Sequence, residues 1–153
     1  MLYEENLQKR GYKIPELLTT REKPFECGIK TGNLIFVSGN AARVDGELKY
    51  KGIVGKNVTL EEAQDAAKIC FVNCLAAVKK IEGSLETISR IVNVKGYVAS
   101  TPEFTKQPQV MDAVSQMIYE VFGDAGKHSR VAVGAASLPG NTPVEVEMVV
   151  EVK

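Results

Sequence analysis

The sequence predicts an α+β fold, a two-layer sandwich in which two helices cover one face of a mixed β-sheet. Apolar residues alternate with a period of two in segments near both ends of the chain, which is typical of strands with one buried face. Two long segments between them repeat apolar residues at helical spacing. The resulting order of two strands, loop, helix, strand, helix and two strands favours one helical layer packed on one sheet.

Length and charge limit the possible functions. The 153 residues suit a single domain over 1–153. Nineteen acidic and nineteen basic residues give no global attraction to nucleic acid or to an anionic membrane. The chain has no apolar run of membrane-spanning length and no basic leader before an apolar stretch, so we expect a cytoplasmic protein.

The first third of the chain predicts a short helix, a hairpin and a loop. Residues 2–11 fit a helix that is closed by glycine, and 11–24 read as an extended segment because two prolines disfavour helix there. Strands at 25–29 and 34–38 flank a Gly-Asn turn. The glycine-rich segment 41–58 predicts a loop.

Two helices and an intervening strand follow. Thr59 and Glu62 form a capping box that begins the first helix, and Gly83 is a suitable C-cap. Residues 90–100 alternate as a strand. The apolar stripe of 110–122 predicts a second helix that ends at a glycine.

The cysteines favour packing over chemistry. Cys70 and Cys74 lie one turn apart on the first helix, and Cys27 is distant in sequence, so a disulfide framework is not expected. Because the chain has one histidine, the sequence also argues against a zinc site of cysteine and histidine ligands. We expect Cys70 and Cys74 to be small core residues.

The last two strands carry the candidate chemistry. Val131 and Val133 mark the core face of the first of them, which leaves Arg130 on the opposite face beside small residues. Residues 138–142 are rich in turn formers and predict a hairpin. If the two strands pair, Arg130 and Glu145 share a sheet face that is not the core face.

An arginine and a glutamate on one face have two interpretations. A guanidinium matches a carboxylate through two parallel hydrogen bonds, and a nearby glutamate can orient or deprotonate a water. Together they would hold a small carboxylic acid and hydrolyse it. A cross-strand salt bridge on a solvated face is the alternative, and the pattern alone favours it.

The spacing of this segment bears on that choice. Arg130 is followed by Pro139 nine residues on and by Glu145 six residues after that, and 31–39 read Thr-Gly-Asn-Leu-Ile-Phe-Val-Ser-Gly. These pieces, in this order, resemble the RidA (YjgF, reactive intermediate deaminase) family from about residue 23 to the C-terminus. The chain is most similar to the longer branch of that family, which has an extra N-terminal segment and a Gln-Pro insertion like Gln107-Pro108. The resemblance therefore implies that 1–22 form an N-terminal extension.

The resemblance implies a fold, an assembly and an activity. The implied fold is the chorismate-mutase-like fold, and the implied assembly is a homotrimer with sites between neighbouring subunits. Proteins of this family hydrolyse reactive enamines and imines, such as 2-aminoacrylate, to a 2-oxo acid and ammonia. They need neither a metal nor an organic cofactor.

The resemblance also implies roles for particular residues. Arg130 would clamp the substrate carboxylate, Glu145 would hold the attacking water, and the backbone of Ala132 would position that water or the leaving nitrogen. Four further positions match residues that line the family pocket, namely Phe25, Ser38, Gly39 and Asp112. The chain departs from the family at four positions. Phe25 stands for tyrosine and Asp112 for asparagine. Ala132 stands for cysteine and Gly134 for glutamate.

Two other functions remain open at this point. One is a trimer that binds 2-oxo acids or related carboxylates through Arg130 without turning them over. The other is RNA cleavage, an activity attributed to some relatives. The neutral charge and the lack of a basic, aromatic-rich strand argue against the nuclease.

Overall fold

The computed structural model describes residues 2–17 and 23–153, so part of the predicted 11–24 segment lies outside the described residues. A five-stranded mixed sheet has the order β1-β2-β7-β5-β6, and a separate two-stranded ribbon pairs β3 with β4. The strands are β1 (Gly28–Thr31), β2 (Leu34–Ala41), β3 (Arg43–Val44), β4 (Glu47–Leu48), β5 (Ile88–Ala99), β6 (Ser129–Ala135) and β7 (Val144–Val152). The helices are α1 (Tyr3–Lys9), α2 (Leu60–Glu82) and α3 (Gln107–Phe122).

The predicted hairpin of β6 and β7 is wrong. β5 lies between these two strands, antiparallel to β7 and parallel to β6, and the segment 136–143 crosses the end of β5. The turn residues do form a tight 3₁₀ turn at Pro139–Asn141. A turn of this kind shows that the chain reverses there, but it does not show which strand becomes the neighbour.

Helix α2 has the predicted start and end. The Thr59 side chain accepts from the Glu62 backbone N–H at 3.1 Å, and the Glu62 carboxylate accepts from the Thr59 N–H at 3.0 Å. Gly83 ends the helix with φ at 83°, a left-handed conformation that glycine adopts without strain. The predicted core positions Cys70 and Cys74 are fully buried, which confirms their packing role.

Helix α3 begins three residues before the predicted stripe, at Gln107, and it lies very close to the sheet. A Cβ at Gly96 of β5 would collide with the Met111 side chain, and one at Gly134 of β6 would lie 3.0 Å from the side-chain Nε2 of Gln107. Small residues are therefore required where α3 crosses these strands. The space that the sequence leaves beside Arg130 is filled by this helix.

The face of β6 that contacts the helices is the reverse of the predicted one. Val131 and Val133 are 43% and 40% exposed on the open face of the sheet. Arg130 pairs in register with Val94 of β5, which is buried beneath the helices, so Arg130 lies on the helix-covered face. The valines do not mark the core here because α3 leaves room only for small side chains.

The N-terminal helix α1 is part of the fold. Leu7 is fully buried, and Tyr3 packs against Phe122 of α3 with ring centroids 4.6 Å apart and ring planes tilted by 52°. The Glu86 carboxylate accepts from the Tyr3 backbone N–H at 3.0 Å, which satisfies one of the free donors at the start of α1. This helix therefore adds to the helical layer of the domain.

Among the described residues, no helix has both the length and the apolar character that crossing a membrane requires.

Candidate functional site

The Glu145 carboxylate lies on the open face of the sheet, beside a break in strand pairing. The register between β2 and β7 shifts between Val37 and Asn40, and Gly39 lies in this irregular stretch. A Cβ at Gly39 would be 3.2 Å from the Glu145 carboxyl carbon, so the glycine leaves the space that the carboxylate occupies. The structure therefore brings together two of the predicted site residues, Gly39 and Glu145.

The environment of Glu145 makes its carboxyl group harder to ionise than a fully exposed one. Burial raises the pKa of its carboxyl group, the charge of Glu147 raises it further, and Lys23 acts in the opposite direction. Glu147 shares this face and accepts a hydrogen bond from the Tyr97 hydroxyl at 3.3 Å. A carboxyl group that is held near a second carboxylate and partly out of water is suited to proton transfer.

Ser38 and Phe25 lie at the rim of this region. The Ser38 hydroxyl donates to the Glu26 carbonyl at 2.7 Å, so it ties the middle of β2 to the segment before β1. Phe25 is 54% exposed, and the Lys23 ammonium lies 5.7 Å from its ring centroid. Because the charge of Lys23 also acts on Glu145, Phe25 is linked to the Glu145 region through this lysine.

The Arg130 guanidinium is held on the other side of the sheet by α3. Its Nη1 donates to Asp112 Oδ1 at 2.9 Å and to Ser115 Oγ at 3.0 Å. Its Nη2 donates to the Pro108 carbonyl at 3.4 Å. The Arg130 side chain is only 21% exposed, whereas that of Asp112 is 64% exposed. Two of the predicted site residues, Arg130 and Asp112, thus form a direct ion pair.

The single histidine extends this network. His128 Nδ1 lies 2.6 Å from the Gly126 carbonyl, and Nε2 lies 2.9 Å from the Ser115 hydroxyl. A carbonyl oxygen can only accept, so Nδ1 carries the proton, and in the neutral ring Nε2 accepts from Ser115. Ser115 then presents its oxygen lone pairs to Arg130. His128 therefore helps to position the guanidinium.

We call the two groups the carboxylate region (Gly39, Tyr97, Glu145, Glu147) and the guanidinium region (Asp112, Ser115, His128, Arg130). Within one chain they do not meet. Arg130 pairs with Val94 and Glu145 with Tyr97 on β5, which places their Cα atoms roughly 14 Å apart by strand geometry. The expectation that Arg130 and Glu145 share a face is wrong, because the two side chains lie on opposite faces.

Ala132 lies on β6, at the edge of the sheet. It pairs with Gly96 of β5, and within the described chain β6 has no second strand neighbour. Alternate backbone N–H and C=O groups of an edge strand have no strand partner. Such groups are available to a ligand or to another chain. The role implied for the Ala132 backbone, which is to position the water or the leaving nitrogen, needs a group of this kind.

Sequence reasoning missed Ser115 and Tyr97. Ser115 follows Asp112 by three residues on α3, a spacing that places both side chains on one helix face. That spacing was the available signal. Tyr97 pairs in register with Glu145, and this neighbour depends on the strand order, which the sequence pattern does not contain.

The buried thiols are not candidate nucleophiles. Cys70 and Cys74 donate to the carbonyls of Val144 and Val146, each at 3.3 Å. Burial raises the pKa of Cys74 to about 12 and that of Cys70 well above its ordinary value. The reactive thiolate form is therefore not populated near neutral pH.

Comparison with known proteins places this geometry in a family. The family model described as "YjgF/chorismate_mutase-like, putative endoribonuclease" matches residues 4–152. Protein TCP17 of Trypanosoma cruzi is 34% identical over 149 residues, which cover 95% of this chain and 91% of that protein. A crystal structure of Atu1372 from Agrobacterium tumefaciens, a protein of unknown function, is 38% identical with a TM-score of 0.92, and the match covers 99% of this chain and 94% of that one.

One relative has a named enzymatic activity. The 2-iminobutanoate/2-iminopropanoate deaminase of Dermatophagoides farinae is 26% identical over 135 residues, which cover 85% of this chain and 87% of that protein.

Proposed function

The chain belongs to the YjgF/chorismate-mutase-like family, and from that premise we propose that it hydrolyses reactive 2-imino acids to 2-oxo acids and ammonia. The observation that carries the proposal is the half-buried Glu145 carboxylate beside Gly39, with its raised pKa, on the face opposite a positioned Arg130. The named activity of the D. farinae relative supports the same chemistry.

The proposed reaction adds one water to the imine carbon. Glu145 takes a proton from the water as its oxygen bonds to that carbon, and the C=N electron pair moves to nitrogen. Glu145 gives this proton to the nitrogen, which forms the carbinolamine. Glu145 then takes the hydroxyl proton and passes it to the nitrogen as the C=O bond forms and the C–N bond breaks, and ammonia leaves. Arg130 holds the substrate carboxylate through charge-assisted hydrogen bonds, and these residues need no cofactor for these steps.

Because the two regions do not meet within one chain, we propose that the complete site forms between copies. The guanidinium region of one subunit would face the carboxylate region of its neighbour. The open face also exposes Ile29, Phe36, Val131 and Val133, each between 40% and 56%, which is an apolar surface suited to contact with another copy. A closed ring of three, as the family resemblance implies, uses one such heterologous contact repeatedly.

The first experiment measures imine hydrolysis directly. A dehydratase or an amino-acid oxidase generates 2-aminoacrylate or another 2-imino acid in place, and its disappearance is followed with and without the protein. We expect Arg130→Ala to lower kcat/KM by roughly 10- to 150-fold, the equivalent of losing one charged hydrogen bond of ~1.5–3 kcal/mol. Arg43→Ala removes the same charge from the β3–β4 ribbon and serves as the matched control. An equal loss in both variants would contradict a specific role for Arg130.

A mixing experiment tests the shared site. Arg130→Ala and Glu145→Gln are each assayed alone, and the two variants are then co-expressed in equal amounts. If each site takes Arg130 from one subunit and Glu145 from the next, about a quarter of the sites in random mixed rings are intact, so activity returns to about a quarter of the wild-type value. If each site is built within one chain, the mixture is as inactive as its parents.

Two alternatives are outcomes of these measurements. Binding of 2-oxo acids without imine hydrolysis would support a carboxylate-binding protein. RNA cleavage has less support because Glu145, Glu147 and Glu151 all lie on the open face and repel phosphate.

A further inference from the structure

The hydrogen bonds of Arg130 leave one edge of its guanidinium available. Both hydrogens of Nη1 have acceptors, Asp112 Oδ1 at 2.9 Å and Ser115 Oγ at 3.0 Å. Nη2 makes one long bond of 3.4 Å to the Pro108 carbonyl, and Nε has no hydrogen-bond partner among the described residues. The Nε and Nη2 donors point the same way and match the two oxygens of a carboxylate. A substrate acid can therefore bind there without displacing Asp112.

Asp112 balances the charge that such a substrate would bind. Its carboxylate stays next to the guanidinium, so an arriving anion meets an ion pair of zero net charge instead of a lone cation. Only Oδ1 is engaged, and within the described residues Oδ2 accepts no hydrogen bond. With 64% of the Asp112 side chain exposed, this second oxygen is available to a donor on a ligand.

The position of Arg130 does not depend on Asp112 alone. Ser115, which is oriented by His128, holds the same Nη1, and Pro108 contacts Nη2. Replacing the Asp112 carboxylate with an amide keeps an acceptor for Nη1, removes the charge and turns the second oxygen into an N–H donor. The charge of Asp112 can thus be tested separately from its positioning role.

We propose that Asp112 is a specificity-determining residue that selects substrates by side-chain charge. This inference rests on the proposed function and names the substrate class of the same site. The site favours 2-imino acids whose side chain carries a positive charge or a strong hydrogen-bond donor over those with neutral side chains. It disfavours those with a second carboxylate, because Asp112 repels them and Arg130 is already compensated.

The test is a charge series that is read by both binding and turnover. Calorimetry measures the affinities of three 2-oxo acids with a guanidinium, an isobutyl or a carboxylate side chain, and the corresponding imines are assayed for hydrolysis. We expect wild-type affinity to fall in that order. Asp112→Asn should lower the ratio of cationic to anionic ligand affinity by roughly 10-fold, since one exposed charge is removed from the rim. The same change should appear in the ratio of kcat/KM values.

Two further variants make the result specific. Asp112→Glu retains the charge and should retain the order of preference. Asp124→Asn removes a carboxylate that is 94% exposed and paired with Lys127 at 3.2 Å, and it should leave the ratio unchanged.

The outcomes separate this inference from the proposed function. Ligand binding in the predicted order without hydrolysis would contradict the proposed function and support the role of Asp112. If the protein hydrolyses the imines but Asp112→Asn changes the ratio of cationic to anionic ligand affinity by less than twofold, the role of Asp112 is overturned and the proposed function is not. A uniform loss of all three ligands in Asp112→Asn would make the residue structural and would also overturn the inference. A wild-type protein that binds none of the three and hydrolyses none of the corresponding imines would overturn both.

Discussion

The two faces of the sheet come from the same alternating sequence and have different physical roles. On β7 the five apolar side chains beneath the helices are at most 1% exposed, whereas the glutamates between them face the open side. The covered face holds the fully buried core. The open face combines exposed apolar residues with carboxylates, a mixture that one chain leaves uncovered. We infer that stability resides mainly on the first face, while the second face carries Glu145 and the apolar surface proposed for contact between copies.

The strongest test of this comparison uses adjacent residues of β2. Ile35 is fully buried on the covered face, and its neighbour Phe36 is 49% exposed on the open face. We expect Ile35→Ala to lower the free energy of unfolding by about 2–5 kcal/mol, because it leaves a cavity in the core. Phe36→Ala removes a larger side chain yet should cost about 1 kcal/mol or less in the isolated subunit.

Denaturant unfolding at several protein concentrations measures both effects. The loss in Ile35→Ala should be the same at every concentration, whereas Phe36→Ala should lose apparent stability only where subunits associate. Equal, concentration-independent losses would contradict the division of roles between the faces.

A smaller effect is expected at the contact between Gly39 and Glu145. Gly39→Ala places a Cβ 3.2 Å from the Glu145 carboxyl carbon, so the carboxylate must shift by a few tenths of an ångström. We expect kcat/KM for imine hydrolysis to fall about threefold to tenfold, since catalysis depends on position at this scale, with little change in unfolding. When Gly39→Ala is added to Glu145→Gln, it should not lower kcat/KM any further. Additive losses would show that Gly39 acts on something other than Glu145.

The smallest effect concerns pH. Burial first, and then the charge of Glu147, raise the pKa of Glu145. A base must be ionised to accept a proton, so activity falls as the pH drops through that pKa. Glu147→Gln removes the repulsion and lowers the pKa of Glu145, which should move the acid limb of the kcat/KM profile to lower pH.

Glu151→Gln is the matched control for the pH profile, because it removes a charge from the same strand face farther from Glu145. If the acid limb of the kcat/KM profile stays in place in Glu147→Gln, or moves equally in both variants, a group other than Glu145 controls that limb.

Much of the fold was predictable from local signals. The capping box at Thr59 and the glycine at 83 bounded α2 correctly because caps depend on residues that are close in sequence. The stripe of α3 was found, but its first turn at Gln107 was missed, since Lys106 offers no side-chain cap. The two-layer arrangement with helices on one face is confirmed by the sheet and by the family match.

The candidate site was predictable only in part. Glu145 with Gly39 and Arg130 with Asp112 are each neighbours in the structure. The prediction that Arg130 and Glu145 share a sheet face was wrong for two reasons. The predicted hairpin ignored the possibility that β5 inserts between β6 and β7, and the valines of β6 were assigned to the core by hydrophobicity alone.

By itself, the sequence determined the element types, the caps, the two faces of each strand and the residues that carry charge. These features depend on contacts within a few residues and on the periods of the helix and the strand. Only the tertiary structure decided the strand order, the face of β6 that α3 covers and the separation of Arg130 from Glu145. Those outcomes depend on packing between distant segments, where the close approach of α3 to Gly96 and Gly134 selects small side chains over apolar ones.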